Sequence, residues 1–132
     1  QHSKMTYHGS VSNEEVLEAL DKAHIFLYPN IWRETSCIAM IEAIKSGVIC
    51  IHPNLGALPE TASNATIMYD FTENNQDHAN LAYSITKSLL EHQENDPQFI
   101  NRFTRSDRFG LAPNDINTYR QYWNKLLRDL LN

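Results

Sequence analysis

The sequence has no excess of basic residues. It carries 11 Lys and Arg against 16 Asp and Glu in 132 residues, a formal net charge of −5. Proteins that bind nucleic acids or anionic membranes over a broad surface need a basic face for the phosphates. We therefore expect neither as a general partner, although a local basic pocket is compatible with this charge.

Cysteine is scarce, and long apolar runs are lacking. Cys37 and Cys50 lie in apolar segments without the spacing of a metal site, so we expect buried free thiols in a reducing compartment. No apolar stretch approaches the roughly 20 residues that span a bilayer, and no signal peptide is visible. We expect a cytoplasmic protein without a transmembrane segment; peripheral attachment of the full-length protein to a membrane is the alternative.

The remaining composition is that of an ordinary globular protein. Hydrophobic residues make up 42% of the chain, and the length is enough for one domain with a core. The first residue is Gln1 rather than Met, which indicates a piece of a longer protein or a trimmed product.

Short apolar runs alternate with helical patterns in the first half of the chain. Buried strands are predicted at 24–28, 48–51 and 66–69, and Pro53 is expected to close the second of them. A short strand is predicted at 5–9. Helices are predicted at 13–22, where Ser12 and Glu15 form a capping box, at 35–46, which Gly47 ends, and from residue 58 to 61. We therefore expect an α/β fold with a doubly wound parallel sheet flanked by helices.

The pattern becomes helical beyond residue 75. One helix is marked by Ala79, Leu81, Ala82, Ile85, Leu89 and Leu90. A shorter one is predicted at 99–103, and a final amphipathic helix at 119–130. We divide the chain into an α/β part, residues 1–75, and a helical C-terminal region of the same domain, residues 76–132.

Two glutamates, Glu34 and Glu42, are the most informative feature. They stand eight residues apart, the first at the mouth of a predicted helix and the second inside it. Eight helical residues advance about 12 Å and turn by about 800°, so the two side chains would lie roughly 80° apart. Spacing alone also fits a plainer explanation, in which Glu34 complements the helix dipole and Glu42 is solvated.

The segment between the glutamates has mostly small or hydroxylic side chains. The first turn of the predicted helix contains Thr35, Ser36, Cys37 and Ile38. First-turn amides have no intrahelical partner and carry the positive end of the dipole, so a diphosphate can bind there without a lysine. Carboxylates beside such a site would accept hydrogen bonds from sugar hydroxyls instead of contacting the phosphates.

Three segments together resemble a known family. Tyr28-Pro29, Trp32 through Gly47, and Gly56 through Thr61 look like the C-terminal, donor-binding domain of a GT-B glycosyltransferase, in the retaining group called family 4. The hallmark is E-x7-E, then an Ala-rich turn ending in Gly, a strand and a Gly-x-x-x-Glu segment. The resemblance covers about residues 5–70. Where most members have Gly and Phe after the first Glu, this chain has Thr35-Ser36-Cys37, which resembles a known subset.

The resemblance implies a donor site within this chain. Glu34 would contact the transferred sugar, and Glu42 would accept hydrogen bonds from the ribose of a UDP-, GDP- or ADP-linked sugar. The phosphates would bind the segment after Glu34, at Thr35, Ser36, Cys37 and Ile38. The turn at His8 and Gly9 would lie near the base, although a lone histidine in a turn is more often a plain surface residue. The implied reaction moves a hexose to an acceptor hydroxyl with retention, without a metal or another cofactor.

The resemblance also implies that part of the enzyme is missing. In the family, two strand–helix units come before this region and carry an Arg and a Lys that neutralise the diphosphate, and the acceptor domain carries a catalytic histidine. No Arg-x4-Lys pair occurs in residues 1–30, and none of the six histidines matches that role. We therefore assign no catalytic residue and expect the chain to be inactive without its upstream half. A non-catalytic interaction or regulatory module derived from such a domain is the alternative.

A Rossmann-like strand order has a consequence for the first strand. In the order 3-2-1-4-5-6 this chain would contain strands 3 to 6, so the strand near Tyr7 would be separated from the others. The strand at Ile25–Tyr28 would become an open apolar edge. We expect a displaced N-terminal strand, or association between copies through this edge or through an apolar face.

Overall fold

The computed structural model describes residues 4–62 and 66–96, together with the single residue 128. The elements in chain order are α1 (Asn13–Lys22), β1 (Ile25–Leu27), α2 (Ile38–Lys45), β2 (Ile49–Asn54), α3 (Leu58–Ala62), β3 (Ile67–Asp70) and α4 (Asn75–Asn95). This alternation confirms the predicted α/β class. The helices predicted at 99–103 and 119–130 lie outside the described residues, and the division at residue 75 stays a prediction.

The three strands form one parallel sheet in the order β1-β2-β3. The central strand, β2, is buried along its first five residues, because both of its faces are covered. Cys50 packs in a cluster with side chains of α1, α2 and α3. Ile49 and Ile51, which point to the opposite face of the strand, pack with Ala82 and Leu89 of α4. The sheet is therefore flanked by helices on both sides, as predicted.

The edge strand β1 is less buried than its apolar sequence predicts. Ile25 and Phe26 are half-buried, and Leu27 is 40% exposed. Within the described residues β1 pairs with β2 alone, so one edge carries no strand. The strand predicted at 5–9 is wrong: this segment is irregular, and Tyr7 is 87% exposed. A strand needs a hydrogen-bonded neighbour, and none of the described strands pairs with it.

Helix α1 has the predicted bounds and the predicted start. The Ser12 backbone N–H donates to Glu15 Oε2 at 2.9 Å, and the Glu15 backbone N–H donates to Ser12 Oγ at 3.3 Å. The Ser12 hydroxyl also donates to Glu15 Oε2, at 2.8 Å, and the backbone and hydroxyl donors of Ser12 together lower the pKa of the Glu15 carboxyl. The capping box is therefore confirmed.

Pro53 lies inside β2 and does not close it, contrary to the prediction. Ile49 N–H donates to His24 O, and Ile51 O accepts from Tyr28 N–H, so the odd-numbered residues of β2 turn their backbone groups towards β1. At Pro53 the neighbouring strand has already ended, so no ladder bond is lost by the missing N–H.

Helix α4 begins at Asn75, where the sequence pattern becomes helical, and its buried stripe contains three of the six residues that marked the predicted helix. Asn74 caps it by accepting from the backbone N–H groups of Gln76 and Asp77. The side chains that face inwards are His78, Ala82, Ile85 and Leu89. Their spacing is helical, whereas Ala79, Leu81 and Leu90, which the sequence pattern included, are exposed.

Candidate functional site

The candidate site lies at the edge of the sheet where the parallel strands end. The loop after β1 contains Glu34, the turn after β2 contains Gly56, and the connection after β3 leads into α4. Ligands of open α/β sheets bind at this carboxyl edge, because the loops that vary most emerge there.

Helix α2 begins three residues later than predicted. Cys37 is its N-cap, and Ile38 is its first residue. Thr35 and Ser36 therefore belong to the preceding loop, and of the four predicted first-turn residues Ile38 alone lies in that turn. The Cys37 side chain is 3% exposed and packs in the core, which fixes the point where the chain enters the helix.

The amides at the start of α2 are those of Ile38, Ala39 and Met40, because Ile41 N–H already donates to Cys37 O at 3.2 Å. The first of them is open to solvent, since Ile38 is 70% exposed and Thr35 and Ser36 before it are exposed, whereas Ala39 is half-buried and Met40 is fully buried. This end of the helix can therefore receive an anion.

Glu34 lies in the loop with its side chain already engaged. The Tyr28 hydroxyl and the Asn30 side-chain amide both donate to Glu34 Oε1, the second at 3.1 Å. Burial, followed by the hydrogen bond to Glu34, raises the pKa of the Tyr28 phenol far above its ordinary value of 10.0. Because Glu34 precedes the helix, the predicted angle of 80° between the glutamates does not apply; its direction is set by these partners.

Gly56 fixes the backbone of Glu34 from the other side. It adopts a left-handed φ of +57°, and a Cβ placed on it would lie 2.9 Å from Glu34 O and 3.0 Å from Glu34 N. The next residue, Ala57, donates its N–H to Glu34 O at 3.0 Å. This position thus requires glycine, because two backbone segments meet there without space for a side chain.

Glu42 lies on α2 and has a separate partner. Asn13 Nδ2, at the start of α1, donates to Glu42 Oε1 at 2.9 Å. Both side chains can be reached by solvent, since Glu42 is half-buried and Asn13 is exposed. The second carboxylate of the motif is therefore directed at the N-terminal end of α1, where the turn of His8 and Gly9 leads.

The proposed base site at His8 and Gly9 stays a prediction. Both residues are exposed, and Gly9 has a left-handed φ of 68°. His8 lines a groove of about 470 Å³ between α1 and β1, together with Val16 and Phe26. Neither glutamate lines that groove.

The two cysteines are free, as predicted, and buried. Burial raises the pKa of Cys37, and burial together with the nearby Cys37 raises the pKa of Cys50 to about 12. Thiols with raised pKa values are poor nucleophiles. We therefore assign the two thiol groups no chemical role, and the predicted phosphate contact of the Cys37 backbone stays a prediction.

The sequence did not predict three residues that contact the glutamates: Tyr28, Asn30 and Asn13. Gly56 belongs to the motif that carries the resemblance, but no role was predicted for it. Tyr28 could have been suspected from its position at the end of a strand, six residues before the glutamate. Asn13 left no such signal, because it is 29 positions from Glu42.

Across residues 4–62 and 66–96, no cluster of three or more His, Cys, Asp or Glu side chains is arranged to hold a metal ion. None of the helices in the same ranges has the length and apolar composition to cross a membrane.

The family model described as glycosyl transferases group 1 matches residues 2–105. The matched segment contains Glu34, Glu42, Gly56 and all the described elements. No curated protein and no solved structure matched the chain.

Proposed function

The chain belongs to the glycosyl transferases group 1, and from this premise we propose that it forms the donor-binding part of a retaining GT-B enzyme of family 4. The enzyme would transfer a hexose from a nucleotide diphosphate sugar to an acceptor hydroxyl. The bond between the anomeric carbon and the diphosphate oxygen breaks, and a bond to the acceptor oxygen forms. The acceptor proton leaves with the diphosphate or to solvent.

The observation that supports the proposal is that one half-buried carboxylate precedes the open start of α2 and another follows it. Glu34 lies in the loop before Ile38, the exposed first residue of the helix, and Glu42 lies within the helix. Sugar hydroxyls are donors, so Glu34 suits the transferred sugar and Glu42 suits the ribose diol. The amides of Ile38 and Ala39 suit the diphosphate between them.

We propose metal-independent chemistry in a cytoplasmic protein. The amide-bearing end of α2 supplies a fixed positive field for the departing diphosphate. Basic residues that complete the neutralisation would come from an upstream half of a longer chain, so this polypeptide alone is inactive. The same upstream half would contribute the acceptor site and the catalytic histidine.

The test is calorimetric titration of the chain with UDP, GDP and ADP. We expect one of them to bind wild type and Glu94→Ala, and to lose affinity for Glu42→Ala by about tenfold or more, because a hydrogen bond to a charged group is lost. Glu94 is exposed near the end of α4, so its replacement controls for the removed charge. Equal binding by Glu42→Ala and Glu94→Ala would refute the assigned role of Glu42.

A non-catalytic interaction module is the second candidate, and one observation favours it. Ile31 and Trp32, in the loop before Glu34, are 62% and 76% exposed, and such residues often anchor protein contacts. If neither the chain nor a longer form with its upstream half binds any of the three nucleotides, this second candidate replaces the enzyme.

A further inference from the structure

Besides the Cys37 thiol, two side chains hold the Glu34 carboxylate, and the proposed reaction assigns neither of these two a role. Tyr28, the first of them, follows β1 directly. Its backbone N–H donates to Ile51 O at 2.9 Å, and its ring stacks on Phe26 with centroids 5.6 Å apart and planes 12° apart. The backbone and the ring of Tyr28 are therefore both held in place, and its hydroxyl donates to Glu34 from this fixed position.

Asn30, the second, is fixed in its own loop. Its Oδ1 accepts from Trp32 N–H at 2.9 Å, and its Nδ2 donates to Trp32 O at 2.8 Å. A side-chain amide nitrogen has two donors, and the second points to Glu34 at 3.1 Å. Asn30 thus joins the backbone of Trp32 to the Glu34 carboxylate within one loop.

Both donors meet the same carboxylate oxygen, Oε1. Neither of them uses Oε2, although a carboxylate can accept hydrogen bonds at both oxygens. We propose that Tyr28 and Asn30 are positioning residues that hold Oε1 and present Oε2 to a hydroxyl of the transferred sugar. This inference rests on the proposed function and names the residues that prepare its sugar subsite.

Positioning matters here because a glutamate side chain is flexible. A free side chain must be ordered when ligand binds, and that ordering lowers affinity. Tyr28 and Asn30 already restrict the Glu34 side chain before a ligand binds, so less conformational freedom is lost on binding. Their loss should weaken contacts to the sugar and spare contacts to the nucleotide diphosphate, which depend on Glu42 and the α2 amides.

A purely structural role makes a different prediction. If Tyr28 served only to satisfy a half-buried carboxylate, its loss would loosen the whole loop. The start of α2 would move with it, so a nucleotide diphosphate and its sugar derivative would lose affinity by the same factor. The ratio of the two dissociation constants therefore separates positioning from packing.

The experiment measures that ratio for matched pairs, UDP with UDP-glucose and GDP with GDP-mannose, by calorimetry on the 132-residue chain. The variants are Tyr28→Phe and Asn30→Ala. The control is Tyr83→Phe, which removes the hydroxyl of an exposed tyrosine on α4. Thermal unfolding of each variant verifies that it is folded.

We expect Tyr28→Phe to weaken binding of the sugar nucleotide about fivefold to tenfold, with affinity for the nucleotide diphosphate close to wild type. Asn30→Ala should act in the same direction, and Tyr83→Phe should leave both affinities unchanged. An unchanged ratio in Tyr28→Phe and Asn30→Ala, while Glu34→Ala lowers sugar-nucleotide affinity, overturns the positioning role and leaves the proposed function standing. If no nucleotide binds the wild-type chain or a longer form with its upstream half, the proposed function fails and this inference fails with it.

Discussion

Replacing Gly56 by alanine tests how the site loop is held in place. Gly56 has a φ of +57°, and an added Cβ would meet Glu34 O at 2.9 Å, Glu34 N at 3.0 Å and Arg33 Cα at 3.2 Å. All three are backbone atoms, which cannot rotate away as a flexible side chain can. The loop before α2 must therefore move if alanine is accommodated.

The expected cost follows from these contacts. A left-handed backbone costs a residue other than glycine about 1–2 kcal/mol. Separating Gly56 from Glu34 also breaks the 3.0 Å hydrogen bond from Ala57 N–H, worth about 0.5–1.5 kcal/mol. With the displacement of the loop added, Gly56→Ala should lower the free energy of unfolding by about 2–4 kcal/mol.

Gly9→Ala is a matched control for backbone strain. Gly9 has a φ of +68°, but a Cβ there would meet only Tyr7 Cε1, at 4.0 Å. Its replacement should cost about 1–2 kcal/mol, the backbone strain alone, since no clash is added. Urea unfolding of both variants measures the difference. If Gly56→Ala is no less stable than Gly9→Ala, the close approach to Glu34 does not hold the loop.

Three further predictions concern pH and capping. Burial and the hydrogen bond to Glu34 raise the pKa of Tyr28, so above pH 10 the folded state keeps a proton that the unfolded state loses. The free energy of unfolding should therefore fall as the pH rises above about 10, and it should fall less in Glu34→Gln. An equal fall in both proteins would contradict this. Burial lowers the pKa of His52, so the free energy of unfolding should fall as the pH drops below about 6.5. In urea unfolding between pH 7 and 5, the stability of His52→Gln should depend less on pH than that of wild type. An identical pH profile would show that His52 is not the cause. Ser12→Ala removes the cap that pairs with Glu15 and should cost about 0.5–2 kcal/mol in chemical unfolding, whereas no measurable loss would show that α1 does not depend on it.

Local signals explain where the sequence predicted the fold well. Helix α1 has the predicted bounds because Ser12 and Glu15 satisfy its first amides by themselves. The three apolar runs form parallel strands because each is separated from the next by a helix, which rules out a hairpin. Gly47, with φ 79°, ends α2 because it adopts the left-handed turn without strain.

The errors occurred where distant neighbours decide the local structure. The segment at 5–9 has an apolar pattern, but no described strand pairs with it. Helix α2 starts at Ile38 because Cys37 packs in the core, which the helical pattern of 35–46 does not reveal. Pro53 is accepted in β2 because the adjacent strand ends before it.

The same distinction separates the two glutamates from the residues around them. By itself the sequence determined the α/β class and singled out Glu34 and Glu42, because chain order, periodicity and spacing are written along the chain. Only the tertiary structure decided that Tyr28 and Asn30 hold one carboxylate, that Asn13 meets the other, and that Gly56 leaves room for the Glu34 backbone. The physical reason is that a hydrogen bond or a close backbone approach depends on how a loop bends and on where folded elements meet, and neither leaves a periodic pattern in the sequence.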